Sequence, residues 1–232
     1  MTINNHLTNF PLIAIVCGYE QGGTTVLNEL LRQHPKLDSG FEGGLLLGEK
    51  PSDFLEIEPY YSNLKNDWKI DDKQAKYICE SETWSEAYTK LISEAKIIKD
   101  KNIFLFDKTP KYMKFLSKIL SKVHIPSIVL VRDPRSVLCS WAKRQGKKLE
   151  ISSESWIRKN MIEACQRYNS YTQGWKSAVD SGYQDRILLV QYEKLCENTF
   201  EETKKIFDFL NLKIDTSYLE LDSRNNSLTQ NP

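Results

Sequence analysis

The sequence predicts an α/β fold in which helices cover both faces of a central parallel β-sheet. Its apolar runs are short, rich in Ile, Val, Leu or Phe, and free of polar alternation, which is typical of parallel strands buried on both faces. Helical patterns lie between or after these runs, as the connections of a parallel sheet require. The predicted strands are residues 12–17, 103–106, 127–131 and 187–191.

Helices are predicted after each of the first three strands, at residues 24–33, 110–120 and 134–144. The second and third begin with Pro110 and Pro134, and proline is favoured in the first turn of a helix. The first helix has an apolar stripe made of Val26, Leu27, Leu30 and Leu31.

The longest predicted helix covers residues 153–178, and another covers residues 199–210. The last one opens with Thr199 and Glu202 at the spacing of a capping box. No element is predicted for residues 50–80, where no clear period exists. The long helix has one apolar seam, interpreted as core, which consists of Ile157, Met161, Ala164, Tyr168, Tyr171, Trp175 and Ala178.

The composition indicates one soluble globular domain. The chain has 232 residues, of which 40% are hydrophobic and 27% charged. That length suits a single well-buried domain. We therefore expect one domain over residues 1–232, with a core at about 11–212 and a polar tail or lid at 213–232.

The charge of the chain is balanced overall but uneven along it. The formal net charge is +1, whereas residues 107–148 alone carry +9 and the remainder −8. The balanced total argues against a nucleic-acid binder, which usually has a basic excess. The basic block is either a solvated face or the site of a multiply charged anion.

The cysteines and the apolar runs bear on location and on metals. The five cysteines are scattered and show no CxxC spacing, so neither a disulfide framework nor a zinc site is indicated. No apolar run approaches the roughly 18 residues of a membrane span. The sequence therefore predicts a cytoplasmic protein with no bound metal and no membrane span.

A glycine-rich segment follows the first predicted strand and precedes the first helix. Residues 18–25 read Gly-Tyr-Glu-Gln-Gly-Gly-Thr-Thr, the strand–turn–helix context in which backbone N–H groups hold phosphate. The spacing is that of the nucleoside-triphosphate loop, except that Thr24 stands where that loop has lysine. This difference argues against ATP or GTP hydrolysis. On this motif alone, the alternative interpretation remains open that the segment is a glycine-rich turn that binds no ligand.

Two further segments place polar residues after predicted strands. Arg132 follows the third strand with Ser140 eight residues beyond it, and Lys108 follows the second. Arginine makes bidentate contacts to phosphate, to which a hydroxyl adds a further hydrogen bond. Because ligands bind beyond the carboxyl ends of parallel strands, we expect these residues and the loop to converge. The sequence thus predicts a three-layer P-loop-type fold.

With these motifs the chain resembles the sulfotransferases that use 3′-phosphoadenosine 5′-phosphosulfate (PAPS), and among them the tyrosylprotein type and its bacterial relatives. The resemblance spans about residues 11–212. It rests on the loop, on His34-Pro35, on Asp-Lys-Thr-Pro at 107–110, on Val-Arg-Asp-Pro-Arg at 131–135, and on Tyr-Glu-Lys-Leu at 192–195 leading to Phe209-Leu210.

The resemblance implies a role for each matching residue. Glu42 would be the general base, and Lys108 would stabilise the transferring sulfonate and the leaving group. Arg132 and Ser140 would hold the 3′-phosphate, and Tyr192 would lie at the cofactor pocket. Gly22, Gly23, Thr24 and Thr25 would hold the 5′-phosphosulfate, and Gln21 would be a further cofactor-binding residue of the loop.

Three loop and turn positions depart from the family pattern. Gln21 stands where the family has Arg or Lys, next to Glu20, and Gly22 replaces a serine. Phe41 replaces the first glutamate of a Gly-Glu-Glu stretch. A missing cation beside the phosphosulfate would weaken binding or slow transfer unless another residue compensates, so the departures imply either a different catalytic balance or impaired activity.

The resemblance implies transfer of a sulfonate group from PAPS to a hydroxyl or amine, with 3′,5′-adenosine bisphosphate (PAP) as product and no required metal. Two alternatives stay open: a catalytically silent PAPS- or PAP-binding relative, and a P-loop kinase-like phosphotransferase. The acceptor is a small molecule, a carbohydrate, a lipid or a peptide. The sequence indicates no nucleic-acid partner and no particular oligomeric state.

Overall fold

The computed structural model describes residues 10–213, and five parallel strands within that range form one sheet. The strands are β1 (Leu12–Gly18), β2 (Leu37–Asp38), β3 (Phe104–Lys108), β4 (Ser127–Val131) and β5 (Ile187–Gln191). Their order across the sheet is β2-β3-β1-β4-β5, and every neighbouring pair is parallel. The predicted α/β fold is confirmed. The predicted tail or lid lies outside the described residues apart from Lys213.

Helices precede or follow every strand. In chain order they are α1 (Thr24–Leu31), α2 (Tyr60–Trp68), α3 (Asp72–Cys79), α4 (Trp84–Glu94), α5 (Leu116–Lys122), α6 (Pro134–Leu149), α7 (Ser153–Ala178), α8 (Tyr192–Glu197) and α9 (Thr199–Phe209). Short 3₁₀ segments at Leu45–Leu47, Pro51–Glu56 and Pro110–Phe115 connect some of them.

Apolar side chains fill the space on both faces of the sheet. On one face, α1 and α9 pack Leu27 and Phe207 against β1 residues such as Val16. On the other face, helices α2 to α5 and α7 cover Ile15 and its neighbours on the sheet. The larger side chains buried there are Phe54, Trp68, Tyr88 and Tyr112. The result is the predicted arrangement of three layers.

Several element boundaries differ from the predictions. β3 begins and ends later than predicted because its buried part includes Asp107 and Lys108. The predicted helix 110–120 is a 3₁₀ segment followed by α5, and α6 continues to Leu149. Val26 is exposed rather than part of the stripe of α1.

The capping box predicted at the start of α9 is wrong. The residue before the helix is Asn198, and Thr199 already lies in the first turn. Its hydroxyl donates to the Leu195 carbonyl oxygen of the preceding helix instead. β5 was predicted to be buried on both faces, but it is the edge strand of the described sheet and exposes Leu189.

The parallel strands bring the predicted site segments to one edge of the sheet. Val16 of β1 pairs with Lys108 of β3, and Gly18 pairs with Leu130 of β4. Ligands of α/β sheets bind beyond this edge. Within residues 10–213, no helix combines the length and the apolar character that crossing a bilayer demands.

Replacing Gly174 by Ala is expected to lower the free energy of unfolding by about 1–3 kcal/mol, because the added methyl group would enter a space already filled by backbone atoms. A Cβ at Gly174 would overlap the carbonyl oxygens of Met113 and Lys114, where α7 crosses the 3₁₀ segment. This loss exceeds the gain of up to about 1 kcal/mol that alanine brings to a helix. Urea unfolding measures the change.

The control variant is Ser177→Ala, at an exposed position of the same helix, for which a change within about 0.5 kcal/mol is expected. An unfolding midpoint for Gly174→Ala equal to that of the wild type would contradict the close packing of α7.

Candidate functional site

The glycine-rich loop makes a tight turn with two residues in the left-handed region. Gln21 and Gly23 both have positive φ, at 64° and 95°, and the Gly22 N–H donates to the Tyr19 carbonyl at 2.8 Å. A Cβ at Gly23 would overlap the Tyr192 ring. Glycine is therefore required at Gly23 by its conformation and by this close approach.

Arg132 links the loop to the end of β5. Its Nη1 donates to the Gln21 carbonyl at 3.0 Å, and its guanidinium carbon lies 4.4 Å from the centre of the Tyr192 ring. The Tyr168 hydroxyl donates to the Arg132 carbonyl at 2.9 Å. The Arg132 Nε is buried and has no hydrogen-bond partner among residues 10–213. The guanidinium therefore keeps donor capacity beside the loop.

Glu42 and Lys108 form an ion pair at the end of β3. Glu42 Oε1 and Lys108 Nζ are 3.6 Å apart, and the two side chains are 22% and 1% exposed. Burial lowers the pKa of Lys108 and raises that of Glu42, and in each case the charge of the partner opposes the shift. The Phe41 ring centre is 4.2 Å from Lys108 Nζ, so an aromatic ring covers the lysine at the position of the expected glutamate.

The ammonium of Lys108 has no hydrogen-bond partner in the part of the chain that the structure describes. A buried ammonium normally has acceptors for its protons, because losing its hydration is costly. This group is therefore suited to an anionic ligand.

Asp107 fixes the turn that carries Glu42, a role that the sequence did not indicate. Its buried carboxylate accepts hydrogen bonds from Tyr88 at 2.6 Å, Tyr112 at 2.7 Å and Thr109 at 2.8 Å, and from the Gly43 backbone. The Thr109 hydroxyl oxygen in turn accepts from the next backbone N–H of the turn at 2.9 Å. Asp107 thus joins β3 and α4 to the segment that follows Glu42.

The remaining predicted residues lie on helices. Thr24 is buried and Thr25 exposed at the start of α1. Ser140 is partly exposed on α6, about two turns beyond Arg132. The contacts described above bring Gln21, Arg132 and Tyr192 together on one side of the loop, and they bring Glu42 and Lys108 together at the end of β3. They do not include the hydroxyl of Ser140.

A second arginine reaches the loop from α7 and was missed by sequence reasoning. Arg167 Nη2 lies 2.6 Å from both carboxylate oxygens of Glu20, and the Tyr171 hydroxyl donates to Glu20 Oε1 at 2.9 Å. Tyr171 is buried, as predicted for a core residue of α7, but its hydroxyl faces the loop. A glutamate inside an anion-binding loop was the available signal, because such a carboxylate needs a cation close by.

These features fit a ligand with two separate anionic groups. β1, which leads into the glycine loop, lies between β3, which ends with Lys108, and β4, which Arg132 follows. Within residues 10–213 the Lys108 ammonium and the Arg132 Nε have no hydrogen-bond partner. A phosphate or sulfonate accepts hydrogen bonds from such groups and from backbone N–H groups at a helix start. Among residues 10–213, no three His, Cys, Asp or Glu side chains are grouped to hold a metal.

The sequence matches the family model described as "Sulfotransferase family" over residues 11–216. No curated protein gives a significant match.

Solved structures of sulfotransferases share the fold. The sulfotransferase domain of the Synechococcus PCC 7002 olefin synthase superposes with a TM-score of 0.61 at 23% identity, covering 89% of this chain and 75% of that chain. The sulfotransferase domain of the curacin biosynthetic pathway superposes with a TM-score of 0.61 at 20% identity, covering 90% of this chain and 77% of that chain. Mouse sulfotransferase SULT7A1, complexed with PAP, superposes with a TM-score of 0.58 at 12% identity, covering 96% of this chain and 67% of that chain.

Replacing Tyr88 by Phe removes one donor to Asp107 and is expected to cost about 1.5–3 kcal/mol of stability near neutral pH, as for other hydrogen bonds to charged groups. Burial raises the pKa of Asp107, and the Tyr88 hydroxyl opposes that shift, so the variant raises this pKa further. Protonation of Asp107 in the folded variant is then favoured. The loss of unfolding free energy relative to the wild type therefore becomes smaller as pH falls through the folded pKa of Asp107. Urea unfolding at neutral and mildly acidic pH measures both effects.

Tyr77→Phe is the matched control, since Tyr77 is an exposed tyrosine on α3. We expect it to leave the free energy of unfolding unchanged at both pH values. A loss for Tyr88→Phe that is equal at the two pH values would contradict a charged Asp107 as its partner.

Proposed function

The chain belongs to the sulfotransferase family, and on this premise we propose that it transfers a sulfonate group from PAPS to a hydroxyl or amine of an acceptor. We propose that residues 1–232 form one sulfotransferase domain. PAPS, when bound, supplies the activated sulfonate and is released as PAP.

The loop and the end of β4 are proposed to hold the nucleotide. Gly22, Gly23, Thr24 and Thr25 are assigned to the 5′-phosphosulfate. The Gly22 N–H already donates to the Tyr19 carbonyl, so the proposed donors are the Gly23 N–H and the two threonine hydroxyls. This assignment is supported by the tight loop conformation and by the position of the loop at the start of α1. Gln21 offers its amide rather than a positive charge.

The opposite end of the nucleotide is assigned to Arg132, Ser140 and Tyr192. Arg132 is oriented by the Gln21 carbonyl and by the Tyr192 ring. Its Nε has no hydrogen-bond partner within residues 10–213, and the guanidinium is proposed to bind the 3′-phosphate in the bidentate manner usual for guanidinium and phosphate. Ser140, on α6, adds one hydroxyl.

Glu42 is proposed to accept the proton of the acceptor as its oxygen or nitrogen attacks sulfur. A new bond forms from that atom to sulfur while the bond from sulfur to the phosphate oxygen breaks, so the electron pair and the negative charge leave with the phosphate. Lys108 neutralises this developing charge from a site nearly closed to water, where such interactions are strong. Positioning and electrostatics are enough for this transfer, and no metal is required.

The observation that carries the proposal is the Lys108–Glu42 pair. The lysine is 1% exposed, its ammonium has no hydrogen-bond partner within the described residues, and the partly exposed Glu42 is 3.6 Å away. A cation held for an anion and a base held beside it are the two groups that transfer of a sulfonate needs.

Calorimetry with PAP and with Mg-ATP tests the nucleotide class. We expect PAP to bind and Mg-ATP to bind much more weakly, because Thr24 replaces the lysine that holds the β- and γ-phosphates. Binding of PAP with transfer from labelled PAPS to an acceptor in a cell extract supports the transferase. Binding of PAP without any transfer would identify a silent relative, and preference for Mg-ATP would indicate a phosphotransferase.

Replacing Glu42 by Gln is expected to lower the rate of transfer by about a hundredfold to ten-thousandfold, the usual contribution of a general base, with PAP affinity retained. Because burial raises the pKa of Glu42, the wild-type rate should rise with pH through that elevated pKa, and the variant should lose this rise. Initial rates across pH, with PAP affinity by calorimetry, measure both.

Glu49→Gln is the control for this variant, because Glu49 is an exposed glutamate seven residues further along the chain that pairs with Lys118. It should retain the wild-type rate and pH profile. Unchanged turnover in Glu42→Gln would remove Glu42 from the mechanism.

A further inference from the structure

The phosphate loop contains an acidic residue where an anion must bind, and that residue has a cationic partner. Residues 18–25 include no Lys or Arg, whereas Glu20 is negatively charged. Both of its oxygens are 2.6 Å from Arg167 Nη2. The arginine therefore brings a positive charge to the loop from a distant part of the sequence.

Arg167 and Arg132 contact different residues of the loop. Arg132 contacts Gln21 and the Tyr192 ring. Arg167 contacts the neighbouring loop residue Glu20. Burial raises the pKa of Glu42, and the charge of Glu20 adds to that shift. The pKa of Tyr60 is likewise raised by burial first, and then by the charges of Glu42 and Glu20, with Arg167 opposing. Arg167 thus reaches the loop at Glu20, next to the Gln21 position that lacks a cation.

The helix that carries Arg167 is held firmly against the loop. The Tyr19 ring packs on the rings of Tyr168 and Tyr171 at centre distances of 5.1 and 5.0 Å. Gly174 brings the backbone of α7 into direct contact with the 3₁₀ segment after β3. The backbone position of Arg167 is therefore fixed, while its side chain is 42% exposed and that of Glu20 is 34% exposed. Solvent, and hence a soluble anion, reaches both groups.

We propose that Arg167 binds the sulfonate of PAPS and supplies the charge that Gln21 lacks, and that the anion displaces Glu20 from Arg167 as it binds. This inference rests on the proposed function. The planar guanidinium has donors for two sulfonate oxygens. Glu20 keeps the Tyr171 hydroxyl as a hydrogen-bond donor after the exchange. The acidic residue thus holds the arginine in place until the anion arrives.

Calorimetry with PAPS and with PAP, in the absence of an acceptor, isolates the sulfonate because PAP lacks it. For Arg167→Met we expect PAPS affinity to fall by about tenfold, the effect of losing about 1.4 kcal/mol, with a much smaller change for PAP. For Glu20→Gln we expect PAPS affinity to rise a few-fold relative to PAP, because the competing carboxylate is gone. In the Arg167→Met background, Glu20→Gln should leave the ratio of the two affinities unchanged.

A matched pair of control variants lies on the same helix. Arg158 and Glu154 form an exposed pair on the first two turns of α7. Arg158→Met and Glu154→Gln should leave both affinities as in the wild type. Arg167→Lys keeps the charge but not the paired donors of the guanidinium, so its ratio of PAPS to PAP affinity should lie below that of the wild type and above that of Arg167→Met. This variant serves as the test if Arg167→Met does not fold.

The outcomes separate this inference from the proposed function. Wild-type binding of PAP and PAPS with an unchanged affinity ratio in Arg167→Met and Arg167→Lys overturns the inference alone. An equal loss of both affinities also overturns it, because Arg167 would then only hold the loop. No change of the ratio in Glu20→Gln overturns the displacement by the anion. A wild-type protein that binds neither nucleotide overturns the proposed function and this inference together.

Discussion

The burial of two consecutive charged residues at the end of β3 is the constraint on which the site depends. Asp107 and Lys108 project to opposite faces of the strand, and each loses its hydration there, which costs several kcal/mol per ion. Asp107 regains hydrogen bonds from Tyr88 and three other groups of the protein. Lys108 regains the nearby charge of Glu42 and the face of the Phe41 ring, but no hydrogen bond within residues 10–213. The first residue is therefore a structural anchor, and the second is directed at a ligand.

Much of the fold could be predicted because its signals are local. The apolar runs predict β4 and β5 with the correct bounds. The periodic seam predicts α7, although Met161 of that seam is exposed and not part of the core. β2 could not be predicted, because it has two residues and exists only by pairing with β3. Helices α2 to α4 contain many polar residues, and their buried positions mix aromatic residues such as Trp68 with aliphatic ones such as Leu64 and Ile78. Their stability comes from contacts such as that of the Trp68 indole N–H with the Phe41 carbonyl at 2.6 Å.

The residues of the candidate site likewise fall into those that could be predicted from the sequence and those that could not. Residues at strand ends, such as Lys108 and Arg132, could be predicted to lie at one edge because parallel strands end together. The role of Asp107 could not, since its donors come from separate segments and polar residues around a buried carboxylate have no period. Arg167 lies 147 residues from Glu20 along the chain, so only the tertiary fold makes them neighbours. The charge of Glu20 indicates that a partner is needed but not where it lies.

The two ion pairs of the site differ in how easily an anion separates them. An exposed pair stabilises a protein by about 0.2–1 kcal/mol, and Glu20 and Arg167 are both partly exposed. Separating them therefore costs little once a sulfonate replaces the carboxylate and water solvates Glu20. Lys108 is almost wholly buried, so removing its partner would leave a charge without compensation, at a cost of about 3–5 kcal/mol. Solvent exposure thus determines which pair opens to the anion and which stays together as base and stabilising cation.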